Sequence, residues 1–397
     1  MQRYDNPAPS GGDGSVDNRG LAELLARGAE EQEPRSHRQR AMLHASRAAL
    51  DWPVEAAELH RQEVALTQLP AVGTWLAHVI GDWLSAGVWA PAPDPIRRGF
   101  LSRTEAERVI ARSDALHRAV RSDLQMHTLS SDGHATLEAM ARRCIELGYT
   151  HMAVTDHSHG LRIAHGMDAA TLAQQAVEVR TLNALFADEG IDFHIMHGIE
   201  MNLSPDGEGD VEQSVLEGLD IVLGAFHSKL RLVEDQTQRY VEALRSATFD
   251  VLAHPRGRMY NRRIGLDADW DRVFEAAAES GVAMEVDAYI DRQDLDIELL
   301  RRAANHDLWI AVDTDAHHPI DLESMTFGVA ALSEAGIRSD RVLNTLSAAD
   351  LREWVHARRA RARHARKQER GLSLVEFGMI MVMVLIIGLV VISVIHH

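Results

Sequence analysis

The sequence lacks the features that define several common protein classes. Its 397 residues include one cysteine, Cys144, which excludes a disulfide framework within the chain and a cysteine-based zinc cluster. The formal net charge of −18 excludes a chain coated with positive charge for general nucleic-acid binding. Residues 1–37 lack the apolar core of a secretory signal and form a polar Gly/Pro/Ser stretch, for which we predict disorder. These absences favour a reducing compartment, and we expect a cytoplasmic protein.

One long apolar run lies near the C-terminus. Residues 377–395 carry no charge over a length close to the ~20 residues that span a bilayer as a helix. The basic segment 360–376 precedes them and favours keeping that side cytoplasmic. We therefore predict a hydrophobic helix that anchors the protein to the inner face of the membrane. The run also resembles the start of a type IV pilin, with Gly371 as the processing site and Glu376 after it, and a fusion artefact is a third reading.

Residues 38–90 have apolar residues at helical spacing and predict a small all-α N-terminal domain. The turn LPAVG, residues 69–73, separates two of its helices, and such a hairpin can direct backbone N–H groups at a phosphate. The segment resembles the helix-hairpin-helix module of family X DNA polymerases, although Ala71 stands where that module usually has glycine. DNA binding through 38–90 and simple helical packing both stay open. Residues 91–121 are interpreted as a linker followed by a helix.

From Ser122 to Arg359 the pattern changes to short apolar runs that alternate with amphipathic helices. Seven candidate strands are separated by stretches long enough for helical crossovers, which is typical of a parallel sheet. This number of repeated strand–helix units favours a closed barrel. The predicted fold class is therefore α/β.

Six of the seven predicted strands end in residues that bind divalent metals. The carboxyl ends of the strands of a parallel barrel share one face, so these side chains should converge there. Burying them unpaired would cost several kcal/mol, which a bound metal cluster would offset. The residues are His127, His157, Glu200, His227, His254 and the pair Asp315 and His317.

Imidazoles and carboxylates without thiolate favour zinc, manganese or iron over magnesium and calcium. Several such ions held close together lower the pKa of a bridging water toward ~7 and clamp a phosphoryl group. The ligand pattern therefore predicts hydrolysis of a phosphate ester.

The motifs DLQMHTLSSDG, AVTDHS, GIEMN, FHS, AHPRGR and VDTDAH resemble, in order and spacing, those of the PHP (polymerase and histidinol phosphatase) family. The similarity is greatest to the PHP domain of bacterial family X DNA polymerases. This resemblance implies a distorted seven-stranded (β/α)7, TIM-like barrel over residues 122–359, with two or three divalent ions. The metal ligands it implies are Gln125, His127, Asp132, His157, Glu200, His227, His254, Asp315 and His317.

The resemblance also implies roles. Gln125, His127, Glu200 and Asp315 would hold a first ion; Glu200, His227 and His254 a second; and Asp132, His157 and His317 a third. Gln125 replaces the usual histidine, and an amide oxygen binds these metals more weakly, so the first ion should be weakened or exchangeable.

We expect Glu200, Asp315 and His317 to be catalytic. Arg256 and Arg258, which follow a ligand strand, are candidates to bind the substrate phosphate. Asp156, adjacent to His157, is expected to be structural.

Three functions stay open. The first is a metal-dependent phosphoesterase acting on a small phosphorylated metabolite or a nucleotide. The second is a 3′–5′ exonuclease or DNA-end phosphatase, and the third is a membrane-tethered binding protein with a structural metal centre. Only about thirty-five residues separate Gly87 from Ser122, which leaves no room for the catalytic palm of a polymerase.

Overall fold

A computed structural model describes residues 16–366 and shows seven parallel strands in one sheet, ordered β1 to β7, that curls into a nearly closed barrel. The strand residues are almost all buried, because helices cover the outer face and side chains fill the interior. The predicted α/β barrel is thereby confirmed. The strands are β1 (Ser122–Asp123), β2 (His151–Val154), β3 (His194–Leu203), β4 (Ile221–Phe226), β5 (Val251–Ala253), β6 (Ala283–Asp287) and β7 (Ile310–Asp313).

Helices precede the barrel and fill its crossovers. The N-terminal region contains α1 (Asn18–Glu30), α2 (His37–Ala49), α3 (Ala56–Arg61), α4 (Thr74–Ser85), α5 (Arg103–Arg112) and α6 (Ala115–Ala119). The barrel contains α7 (Leu137–Glu146), α8 (Ala169–Asp188), α9 (Gln213–Leu216), α10 (Thr237–Ser246), α11 (Trp270–Ser280), α12 (Ile297–Ala303), α13 (Met325–Ala335) and α14 (348–366).

The predicted disorder of residues 1–37 is wrong where the structure describes this segment. Asp17 caps α1 by accepting a hydrogen bond from the Gly20 N–H at 2.7 Å, and Leu21 and Leu25 of that helix are fully buried. The apolar face of α1 packs on α2. This burial offsets the conformational entropy that the surrounding polar residues lose when the segment folds. Residues 1–15 lie outside the described part of the chain.

The linker and the C-terminal region also differ from expectation. The single helix predicted after the linker within residues 91–121 is interrupted at Ser113, whose extended backbone separates α5 from α6. The first part of the basic segment 360–376 continues helix α14. Between residues 16 and 366 no helix is both long and apolar enough to cross a membrane, and the anchor or pilin-like helix predicted at 377–395 lies outside the described residues.

Asn344 joins the first and last strands, which pair with each other only through side chains and flanking residues. Its amide nitrogen donates to the Ser122 carbonyl at 3.1 Å, the Val312 carbonyl at 2.8 Å and Asp313 Oδ1 at 2.8 Å. Its Oδ1 accepts from the Val312 N–H at 2.8 Å. One fully buried amide therefore replaces part of a missing strand ladder.

Two buried aspartates complete this junction between β1 and β7, here called the seam. Asp313 on β7 accepts from the Leu124 N–H at 2.6 Å, and Asp123 on β1 accepts from the Thr314 hydroxyl at 2.5 Å. Burial raises the pKa of Asp313 to about 6. The seam thus fixes the registry of the strand ends that carry His127 and Asp315.

The helical N-terminal region and the barrel share one apolar core. Phe100 packs edge-on against Tyr260 of the barrel with ring centroids 5.1 Å apart, and Ile290 and Phe327 belong to the same buried cluster. The Gln293 side-chain amide accepts from the Leu101 N–H at 2.8 Å and donates to the Leu101 carbonyl at 3.0 Å. The helical region is therefore packed onto the loops at the carboxyl ends of β5 and β6.

We predict that Asn344→Leu lowers the free energy of unfolding by about 2–4 kcal/mol, because it leaves several buried backbone groups without partners. Urea unfolding of the full-length chain, followed by circular dichroism, measures this loss. Asn305→Leu is the matched control, since Asn305 is exposed and bonds only its own helix end, and it should change stability by less than about 0.5 kcal/mol. Equal stabilities for the two variants would contradict the role of Asn344 in the seam.

Candidate metal centre

The predicted ligands lie together at the carboxyl face of the barrel. The parallel register of β2 and β3 places His157 opposite Glu200, and His254 directly follows β5. His254 and Asp315 have φ values of 28° and 50°, an uncommon conformation for residues with side chains. Such strain is concentrated at functional sites, where surrounding structure holds it.

Glu200 is the centre of the cluster and is fully buried. Its Oε1 lies 2.8 Å from His254 Nε2 and 3.1 Å from His227 Nε2. Its Oε2 lies 3.0 Å from His157 Nδ1 and 3.3 Å from His127 Nε2. Each oxygen of one carboxylate therefore faces two imidazoles, an arrangement that suits a glutamate bridging two ions.

The remaining carboxylates extend the cluster on one side. Asp315 Oδ1 lies 2.9 Å from His127 Nε2, while Asp132 Oδ1 lies 3.5 Å from His157 Nε2 and 3.4 Å from His317 Nε2. Three overlapping groups have donor atoms within 4.8 Å of one another. They are His127, Asp132, His157 and His317; His157, Glu200 and His227; and His127, Glu200 and Asp315.

These groups match most of the predicted ligand sets. The first contains the set predicted for a third ion, together with His127, and the last contains the protein ligands of the first ion apart from Gln125. The remaining group has His157 where His254 was expected, although His254 Nε2 contacts the same Glu200 oxygen. The assignment of individual ligands to individual ions stays a prediction.

The histidines are oriented as metal ligands require. His317 Nδ1 donates to the Asp315 carbonyl at 2.7 Å, and His227 Nδ1 donates to Asn202 Oδ1 at 3.1 Å. In a neutral imidazole each bond leaves the Nε2 lone pair directed at the cluster. Among the described residues, the Nδ1 atoms of buried His127 and His254 have no hydrogen-bond partner. The residues present therefore fit a group of divalent ions.

The electrostatics of the cluster require added positive charge. Burial alone would raise the pKa of Glu200, but His157 and His227 hold it well below its usual range. Burial would lower the pKa of His317, but its bond to Asp132 and the charge of Asp315 raise it to about 9. A proton on His317 thus compensates the neighbouring carboxylates Asp132 and Asp315, and bound cations would take over that role.

Gln125 is fully buried beneath the cluster and bonds Glu285. Its amide nitrogen donates to both carboxylate oxygens, with 2.9 Å to Oε2, and the same Oε2 accepts from the His254 N–H at 2.6 Å. Burial and then the neighbouring charges of Asp313 and Asp287 raise the pKa of Glu285. Gln125 thus supports a carboxylate that positions His254, and its role as a ligand stays a prediction.

Asp156 has the structural role expected from the sequence. It accepts from the Thr128 N–H at 2.7 Å, the Ser131 hydroxyl at 2.5 Å and Gln175 Nε2 at 2.6 Å. These bonds fix the loop that carries Asp132.

Arg256 and Arg258 lie outside the cavity beside the cluster, and their role in binding the substrate stays a prediction. Both guanidinium groups donate to Asp296, at 2.8 and 3.0 Å, and Arg258 also donates to the Arg98 carbonyl at 2.7 Å. Arg258 is buried over the ring of Phe100. Arg258 thereby attaches the helical region to the barrel, whereas both bonds of Arg256 stay within the barrel.

A cavity of about 750 Å³ opens beside the cluster. Asp315, His317 and Arg292 line one part, and Arg292 Nη2 lies 3.2 Å from Asp315 Oδ2. Leu43, His44 and Arg47 of α2 line another part. Sequence reasoning missed the contribution of α2, because no local signal links residues so far apart along the chain.

Comparison with known proteins agrees with this geometry. Residues 123–291 match the family model described as the PHP domain. The chain is 37% identical over 237 residues to the DNA polymerase/3′-5′ exonuclease PolX of Bacillus subtilis, covering 59% of this chain and 41% of that protein. It is 29% identical over 238 residues to a protein of Vibrio cholerae named a probable phosphatase, covering 56% of this chain and 88% of that protein.

Among solved structures, histidinol phosphate phosphatase of Lactococcus lactis, complexed with zinc, L-histidinol and phosphate, is 16% identical with a TM-score of 0.42. The match covers 55% of this chain and 94% of that one. The motifs, the barrel and the family model agree, and residues 123–291 are a PHP domain.

Proposed function

We propose that the PHP domain is a metal-dependent phosphoesterase that hydrolyses the phosphate ester of a small phosphorylated metabolite or a nucleotide. The observation that carries this proposal is the buried Glu200 carboxylate, which faces four imidazoles at 2.8–3.3 Å beside a cavity of about 750 Å³. A cavity of this size suits a small ligand.

Two or three divalent ions, of zinc, manganese or iron, would occupy the centre, held by the nine residues predicted from the sequence. When bound, such ions supply an activated water near neutral pH and positive charge for the phosphate oxygens. The products are an alcohol and inorganic phosphate, because water adds to phosphorus and the ester oxygen leaves. The relatives named as phosphatases support this class of reaction.

The chain's own residues orient the centre and the substrate. Glu200, Asp315 and His317 form the part of the centre at which the phosphate ester would react. Arg292 fixes Asp315, and its guanidinium faces the cavity. Arg292 also lies 3.5 Å from buried Asp287. A guanidinium held by two carboxylates keeps remaining N–H donors for a phosphate oxygen.

A second candidate is a 3′–5′ exonuclease or DNA-end phosphatase. The 37% identity to PolX favours it, although the chain spans 41% of that protein's length. In this reading residues 38–90 would contact DNA. The turn at Leu69–Gly73 does precede α4, but Ala71 adopts φ 62°, the left-handed region that favours glycine.

Asp315→Asn should lower phosphatase activity by at least about 100-fold. Even the loss of a residue that only hydrogen-bonds a metal ligand lowers metal affinity or activity by about 10–100-fold. The assay uses the full-length chain with manganese or zinc on an aryl phosphate, histidinol phosphate and 3′-labelled single-stranded DNA. Asp340→Asn is the control, because Asp340 is exposed and pairs with Arg338 on the surface.

Full activity of Asp315→Asn would contradict the metal-centre assignment. Release of nucleotides from DNA, without phosphate release from the small esters, would favour the exonuclease. Bound metal with no hydrolysis of any substrate would favour a binding protein with a structural centre.

Gln125→His should raise the metal content toward three ions per chain, since imidazole binds these metals more strongly than an amide oxygen. Elemental analysis of the purified full-length chain measures the stoichiometry. Gln238→His is the control, because Gln238 is exposed on α10 and bonds only Glu242. An unchanged metal content would show that Gln125 already ligates or that its site takes no ion.

A further inference from the structure

Residues 259–263, here named the arginine turn, form a tight turn at the edge of the active-site cavity. Met259 and Arg263 exchange backbone hydrogen bonds, both at 2.9 Å, and the Arg262 N–H donates to the Met259 carbonyl at 3.0 Å. Asn261 turns the chain with a φ of 58°. Arg262 consequently lines the same cavity as Asp315 and His317.

The helical N-terminal region holds the arginine turn in place. The Tyr260 hydroxyl lies 3.0 Å from the Ser46 hydroxyl, and Asn261 Oδ1 accepts from Arg97 Nη1 at 3.0 Å. Phe100 packs against the Tyr260 ring, and the Tyr260 N–H donates to the Asp291 carbonyl at 2.7 Å. The turn is therefore preorganised rather than free to collapse onto the surface.

Three arginines in or beside this turn have no bonded carboxylate partner within residues 16–366: Arg262 and Arg263 of the turn, and Arg231, which contacts it. The Arg262 guanidinium contacts only the Met259 sulfur, at 4.0 Å, and Arg231 donates to the Arg262 carbonyl at 3.4 Å. Arg263 keeps a buried Nε without a partner. In a chain of net charge −18, this is a local excess of positive charge.

The environment of these arginines affects the pKa of Arg263. Burial, followed by the charges of Arg292 and Arg231, lowers the pKa of Arg263, while the charge of Asp294 opposes this shift. Guanidinium groups that lie close together without a directly bonded carboxylate favour the binding of an anion.

Helix α2 lines the cavity as well. Arg47 is held there by Asp291 at 2.8 Å, while Leu43 and His44 are exposed to the cavity. The cavity thus joins the metal centre to the arginine turn between α2 and the barrel loops. Its volume of about 750 Å³ accommodates a small molecule that reaches both.

We propose that the arginine turn is a second anion-binding subsite, at which Arg262 binds an additional phosphate or carboxylate group of the substrate. This inference rests on the proposed phosphoesterase function and narrows its substrate class. The substrate is a phosphate monoester that carries a second anionic group on the same small molecule.

The test compares three series of substrates of increasing chain length: alkyl monophosphates, alkanediol bisphosphates and ω-carboxyalkyl phosphates. Release of inorganic phosphate by the metal-loaded full-length protein gives KM and kcat for each. At the best length, the wild type should have a KM about tenfold lower for a doubly anionic substrate than for the monophosphate, as a charge-assisted hydrogen bond provides. A lower KM with both doubly anionic series would identify recognition of charge. A lower KM with only one series would identify whether the phosphate or the carboxylate is bound.

Arg262→Gln should abolish this difference in KM, and Arg262→Lys should restore part of it. Arg338→Gln is the matched control, because Arg338 is an exposed arginine paired with Asp340, and it should keep the wild-type preference. A wild type without preference, or an Arg262→Gln variant that keeps it, overturns the subsite.

Failure of the proposed function gives a different result. If the wild type hydrolyses none of the esters, calorimetric binding of the best-fitting alkanediol bisphosphate replaces the kinetic assay. Binding that is about tenfold weaker in Arg262→Gln supports the subsite even then. Equal affinity of the two proteins overturns it.

Discussion

The buried Glu200 carboxylate is the constraint on which the rest of the site depends. Four imidazoles from four different strand ends face its two oxygens, so each strand must end at the correct height for the cluster to form. An ionised carboxylate in this position is stable only with cations or protonated histidines around it. The barrel therefore carries a concentration of charge that its fold alone does not require, and metal binding explains that arrangement.

The clustering of the candidate ligands could be predicted from the sequence, because the position of a residue at the end of a barrel strand determines the face on which it lies. A polar residue at the end of an apolar strand must lie on the carboxyl face, whichever strand carries it. His127, Glu200 and Asp315 were found in this way, although they are far apart along the chain. Asp132 lies on a loop instead, and it was predicted from the family resemblance alone.

What could not be predicted depends on contacts between distant segments. The motif around Arg256 and Arg258 suggested a phosphate ligand, but the direction of those side chains is set by Asp296 and Phe100. The order of residues 18–30 was also missed, because the polar residues around them dominated the composition while Leu21 and Leu25 supplied the burial. Asn344 gave no signal in the sequence, since its side chain joins Ser122 of β1 to Val312 and Asp313 of β7, which lie far apart along the chain.

The docking of the helical region through Ser46, Arg97 and Phe100 makes the cavity a composite of both parts of the chain. The segment boundary near residue 91, which is clear in the sequence, is consequently not a boundary of function. Substitutions on α2 alter the cavity wall while every candidate ligand stays the same, so the cavity and the candidate metal centre can change independently during evolution. A PHP barrel that exchanged its N-terminal partner would keep this cluster and acquire a differently shaped cavity.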